Sequence, residues 1–140
     1  MIKLLFFLLI FCGNLVQKES VKMVQLSYQT RGTQKTLRIN ADSIVVTINT
    51  KTQFYKTSAQ QWHKIKTEIE KLNMNSISGL KRPSTKSYSD AAMAANLKVF
   101  TSKKEYESSQ FDHHNPNAGL MKLINCMKET LKGTNSEAEF

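Results

Sequence analysis

VQLSYQTRGTQKTLRINADSIVVTINTKTQFYK, residues Val24 to Lys56, decides the fold. Val24, Leu26 and Tyr28 alternate with polar neighbours, and a period of two marks a strand with one buried face. The alternation breaks at TRGTQ, residues 30–34, where Gly32 supplies the backbone freedom of a turn. It resumes twice, through Leu37, Ile39 and Ala41 and then through Ile44, Val46 and Ile48, with Asn40 to Ser43 turning between them. Val45 and Thr47 make that third run strongly β-branched, which favours a central place in a sheet. Asn49 to Thr52 turns again into QFYK, so four strands follow one another as a meander.

Downstream the period lengthens. Ser58-x-x-Gln61 has the spacing of a capping box, and Trp62, Ile65, Ile69 and Leu72 then recur at helical intervals. His63 lies roughly 150° from that stripe at about 100° per residue, so it faces solvent and makes a poor ligand. From Asn73 to Ala94 the pattern dissolves, and residues 78–93 are expected to form a long exposed loop, because so long a segment without periodicity is either a functional loop or a flexible excursion. Met74, Ile77 and Leu80 should anchor its start, and Lys81 to Asp90 reads as a basic surface stretch carrying Tyr88. A second hairpin follows, with NLKVFT, a Ser102-Lys103-Lys104 turn and EYESSQF. Asn115-Pro116 and Gly133 then frame a final helix, proline early and glycine late. Leu120, Leu123, Ile124, Met127 and Leu131 share one stripe of it, with Cys126 at the edge, and the polar GTNSEAEF after it is expected to be a disordered tail. The economical assembly is α+β: one domain over residues 22–132, in which an antiparallel sheet of about six strands carries both helices on one face. Gln25, Ser27, Thr36, Arg38 and Thr47 suit an exposed opposite face, whereas Val45 and Phe100 do not.

The length of 140 residues agrees with a single domain. MIKLLFFLLIFCGN begins with one lysine and an apolar run from Leu4 to Cys12, the pattern of a signal peptide, and too short for a membrane span of about 20 residues. Residues 1–17 are therefore expected to be a targeting segment, with export to the periplasm, the exterior or a lipid-anchored place in the envelope. LIFC resembles the lipobox of bacterial lipoproteins, which would make Cys12 a lipidation site, although Phe11 stands where that motif has a small residue. Loss of residues 1–17 removes only Lys3 and lowers the formal charge from +9 to +8. Such basicity favours anionic partners at long range. Export disfavours intracellular nucleic acid, and the expected partner is an envelope protein or an anionic surface, with the membrane touched only through a lipid on Cys12. Cys126 would then have no second cysteine to pair with, so the chain is no disulfide scaffold.

No nucleophile elbow, phosphate-binding glycine loop, H-E-x-x-H or C-x-x-C occurs, and the acidic residues are scattered. The one cluster with chemical character is Asp112-His113-His114. Histidine is a common metal ligand and a proton carrier near neutral pH. A helix beginning at Asn115 or Pro116 would present its positive end to the cluster, and Asp112 would orient a ring or cap that helix. Against a complete metal site, neighbouring residues of an extended segment point to opposite sides, and zinc takes three or four protein ligands. A strand-to-helix junction is the simpler account.

YSDAAMAANLKVFTSKKEYESSQFDHHNPNAGLMKLINC resembles a pattern in an uncharacterised family of small exported, secreted or lipoprotein-like proteins of Bacteroidetes-type bacteria: D-[GA]-A, a hairpin with a tyrosine, then S-x-x-F-D-H-x-N-P before a closing helix. Asp112, His113, Asn115 and Pro116 match, whereas His114 stands where the pattern has glycine. The resemblance implies an exported address and no catalytic activity. The expectation is thus a small exported binding or envelope-accessory protein without a cofactor, whose candidate surface comprises Asp112, His113, His114, Tyr88 and Asp90. Two alternatives stand beside it: a hydrolase or metal-dependent protein using Asp112 and His113 with the 81–90 loop, and a basic adaptor for anionic envelope surfaces.

Overall fold

The computed structural model describes residues 17–140; of the targeting segment read over residues 1–17, all but the last residue, Cys12 included, lies outside them. The chain forms an α+β domain built on one antiparallel sheet. The elements are β1 (Val21–Gln29), β2 (Gln34–Asn40), β3 (Ser43–Ile48), β4 (Lys51–Lys56), α1 (Ala59–Glu70), β5 (Ala94–Thr101), β6 (Glu105–Glu107), the two-residue β7 (Phe111–Asp112) and α2 (Ala118–Lys132). The strand order is β4-β3-β2-β1-β5-β6, with β7 also paired to β5.

Register explains why one face is buried. Leu26 stands opposite both Leu37 and Leu97, Val24 opposite Ile39 and Val99, and Tyr28 opposite Ala95. All of these side chains are buried, and they meet Trp62, Ile65 and Ile69 of α1 and Leu120, Leu123, Ile124 and Met127 of α2 in one core. Each fully buried aliphatic or aromatic side chain contributes about 1.5–3 kcal/mol, so a periodicity of two in β1 to β3 and of three to four in the helices is enough to specify the layers. β3 lies inside the sheet but next to the edge strand β4, and the middle is held by β2 and β1. Ala41, expected on the inward stripe, falls in the β2–β3 turn and is exposed.

Two turns tie the hairpin ends together at one end of the sheet. Asn49 adopts a left-handed conformation, φ 53°, which asparagine tolerates better than most residues. Its backbone N–H donates to Gln34 O at 2.8 Å and its Oδ1 accepts from Gln34 N at 2.9 Å. At the opposite end Ser20 and Ser102 exchange hydrogen bonds of 3.0 and 2.8 Å, which fix residues before β1 to the β5–β6 turn.

Four local expectations are corrected. EYESSQF is not one strand: Ser108 Oγ accepts from Leu97 N at 3.0 Å while Ser108 N donates to Leu97 O, and this side-chain insertion separates β6 from β7. α2 begins at Ala118 instead of Asn115 or Pro116, because the side chain of Asn117 accepts the Gly119 N–H at 2.9 Å as its cap. The 78–93 loop is mostly exposed, as expected, but is no free excursion: one 3-10 turn, Met74–Gly79, leads into it, another, Lys86–Ser89, lies within it, and Lys86 N and Ser87 N pin it to Asp112. Finally, residues 133–140 are not a free tail. They run back across the open end of the inner sheet face, with Lys35 Nζ donating to Glu139 O at 2.8 Å and Ala138 and Phe140 packed on the core.

Candidate functional site

FDHHNP, residues 111–116, is where the structure concentrates polar chemistry. Phe111 and Asp112 pair with Ala95 and Ala94 of β5, and both side chains are buried. The chain then turns at His113 and His114, and Asn115 N closes on Asp112 O at 2.8 Å. This turn sends Asp112 and His113 to different surroundings.

Asp112 is 0% exposed and faces the loop. Its carboxylate accepts hydrogen bonds from Ser84 Oγ, from Lys86 N at 2.8 Å and from Ser87 N at 3.0 Å, and forms an ion pair with Arg82 Nη2 at 3.1 Å. Burial opposes its ionisation, but the bonds from Ser84, Ser87 and Lys86 outweigh burial and hold the carboxyl well below the usual carboxylate range. The expected role of Asp112 as a cap for α2 or an orienter of a histidine is thereby corrected: its acceptor sites serve the loop. Tyr88 is 72% exposed beneath the Arg82 guanidinium, 4.3 Å from its ring centroid. Asp90, left-handed at φ 57°, pairs with Arg31 at 3.3 Å on the surface. Neither joins the histidines.

His113 turns to the other side. Its Nδ1 accepts the Met93 N–H at 3.0 Å, while its own N–H donates to Met93 O at 3.0 Å. The neutral ring therefore carries its proton on Nε2. Burial lowers its pKa from the ordinary value, and the neighbouring His114, Lys128 and Lys35 act in the same direction. The His113 and His114 rings meet edge to face, 4.9 Å between centroids, because a turn replaces the extended geometry that would have pointed them apart. His113 also meets Tyr28 at 5.4 Å.

Tyr28 is the centre of this side. Its ring is 1% exposed, lies 5.4 Å from Phe140 and has Lys128 Nζ 5.6 Å from its centroid. Its hydroxyl has no hydrogen-bond partner among the described residues, and burial raises its pKa. Tyr28, Lys35, Met93, His113, Lys128 and Phe140 line most of a cleft of about 320 Å³, and a second cavity of about 500 Å³ adjoins it past Phe140. Burial, followed by Lys132, lowers the pKa of Lys128.

A larger groove of about 540 Å³ runs between the outer flanks of α1 and α2 and includes His63, Glu68, Cys126 and Glu129. Burial and the adjacent Glu129 and Glu68 push the Cys126 thiol up, so it stays protonated at neutral pH. Among the described residues no group of three or more histidine, cysteine or carboxylate side chains is placed to hold a metal ion, and no helix is long and apolar enough to cross a membrane.

Of the residues singled out in the sequence, His113 and His114 reach the cleft and Asp112, Tyr88 and Asp90 do not. Tyr28, Lys35, Lys128 and Phe140 were missed. Two signals pointed to them: a tyrosine among the aliphatic inward positions of β1, and a lone aromatic closing an otherwise polar run. No family model, curated protein or solved structure matches the chain.

Proposed function

We propose that the chain is a small exported binding protein, akin to the exported family its last third resembles, and that the Tyr28–His113 cleft is its ligand site. One observation carries this reading. Tyr28, whose buried hydroxyl has no partner among the described residues, lines a cleft that also holds an imidazole and two lysines; a buried polar group left unpaired calls for an explanation, and Thr57 Oγ1 and Arg82 Nε, unpaired as well, lie away from this cleft. The cleft volume is at the lower end of the range of small-molecule sites, about 300–1,000 Å³.

The placement of the cleft suits a tethered protein. Residues 17–20 enter the sheet beside the β5–β6 turn, and Tyr28 lies near the other end of β1, roughly 24 Å away at about 3.4 Å per residue. A lipid on Cys12 would hold the protein by one end and leave the cleft facing outward. The hydrolase alternative draws less support, since Asp112 and His113 serve opposite sides of the turn.

The test is amide chemical-shift mapping of the exported form against a panel of small anions, cations and neutral compounds. Saturable shifts at Tyr28, Met93, His113 and Lys128 are expected for one class. Ligand-induced shifts confined to the loop, the α1–α2 groove or the outer sheet face would move the site elsewhere. Absence of saturable shifts for every class would reject the small-ligand reading. Intact mass of the exported form decides the tether: a chain that begins after Cys12 carries no lipid there.

A further inference from the structure

We infer that the cleft takes a small carboxylate with a flat aromatic body, and that residues 134–140 are a strap whose Phe140 ring stands in for that body. The inference rests on the binding-protein reading above and adds the ligand class and the means of covering it.

Donors outnumber acceptors in the polar lining. Nε2–H of His113 and the ammonium groups of Lys35 and Lys128 can donate, the buried Tyr28 hydroxyl has no partner among the described residues, and His114 lies against His113. The acceptor shown engaging this group is a main-chain carbonyl, Glu139 O on Lys35. The Glu139 carboxylate also borders the cleft and forms no ion pair among the described residues. Donors gathered around a half-buried space favour an anion, and Lys128, whose ammonium is partly desolvated, gains most from one. A cation would meet two lysines.

The apolar lining is a ring site. Phe140 packs tilted on Tyr28 with centroids 5.4 Å apart, inside the range in which aromatic pairs attract. The strap that carries it is lightly attached. Its backbone joins no strand, and its bonds to the sheet are Lys35 to Glu139 O at 2.8 Å and Ser136 Oγ to Gln53 Oε1 at a long 3.5 Å. Ser136 and Thr134 hydroxyls otherwise bond within the strap or to the end of α2. A segment held by the packing of Ala138 and Phe140 and by one firm side-chain bond can leave, and a ligand bringing its own ring and a carboxylate would replace the Phe140 and Lys35 contacts. Inorganic phosphate could answer the charge but not the ring.

The experiment uses the full chain, with phenylacetate as the probe and phenylacetamide and inorganic phosphate as comparison arms, followed by the Tyr28 and His113 resonances. Phenylacetate should bind more tightly than either comparison compound. Phe140→Ala, which removes the resident ring, should tighten it by about tenfold, as expected when a competing closed state is emptied. Phe140→Leu should tighten it less. Lys35→Gln and Lys128→Gln should each weaken phenylacetate while leaving phenylacetamide unchanged. Equal binding of the amide would overturn the carboxylate assignment, and phosphate binding that matches phenylacetate would overturn the aromatic one. Unchanged or weakened binding in both Phe140 variants, with folding verified by circular dichroism, would overturn the strap. Any of these outcomes leaves the cleft a binding site. Silence of the cleft resonances towards all three probes rejects the inference, and the wider panel then decides the binding-protein reading separately.

Discussion

Asp112 holds its charge without exposure, and four donors from a single loop are the reason. Asp112→Asn would keep the shape, but its amide group must face donors, and Arg82 would lose its counter-charge. Removing one partner of a buried pair costs about 3–5 kcal/mol, and the low end applies because Arg82 keeps Gln110 and Ser87. Denaturant unfolding should show that loss, and limited proteolysis should cut between Lys81 and Asp90 only in the variant. Asp112 also contributes to acid sensitivity: its folded pKa is depressed, so its stabilisation is whole above about pH 4 and is lost as pH falls from there towards the folded value. His113 acts at a higher pH with the same sign. Its folded pKa lies below the ordinary histidine value, so on acidification the unfolded chain takes up the proton first. Stability from His113 is complete above about pH 6.5 and declines just below it, levelling once the folded ring is charged too. Tyr28, Lys35, His114, Lys128 and Glu139 face that ring, and none of the first four stabilises an imidazolium. The unfolding midpoint should therefore fall between pH 7 and pH 5, and His113→Gln should flatten that slope.

Helix boundaries show what is local and what is not. α1 starts where its capping box predicts, with Ser58 N donating to Gln61 Oε1 at 2.8 Å and Gln61 N donating to Ser58 Oγ at 3.1 Å, because every partner lies within four residues. α2 starts three residues after Asn115, since Asn115 is engaged with Asp112 across the turn and Pro116 is buried. Asn117 takes the cap and also reaches Lys81 O at 2.9 Å through Nδ2. Ser58→Ala and Asn117→Ala should each cost about 1 kcal/mol, the usual worth of a cap. Hydrogen exchange should separate them: Ser58→Ala frays α1 alone, and Asn117→Ala also loosens the amides after Lys81. The 78–93 loop follows the same logic. Its sequence is polar and aperiodic, so nothing within it announces that Ser84, Lys86 and Ser87 converge on a carboxylate about 25 residues away.

At the scale of the molecule, β1 is the keystone, because it joins the β2–β4 meander on one side to β5 on the other. Leu26 is fully buried between Leu37 and Leu97 at that seam. Leu26→Ala should cost about 2–5 kcal/mol by chemical denaturation, more than any cap substitution, and β1 amides should be the slowest to exchange in the unmodified protein. The alternation from Val24 to Ile48 and the helical stripes from Trp62 and Leu120 determined the strands, the helices, their inward faces and hence the two-layer α+β assembly, because burial acts on patterns a few residues long. The tertiary structure alone decided which side of the turn each of Asp112 and His113 serves, that Arg82 is the counter-charge, and that Tyr28 and Phe140, at opposite ends of the described chain, share one cleft. Those contacts depend on which distant segments the packed layers bring together, and no local period encodes that.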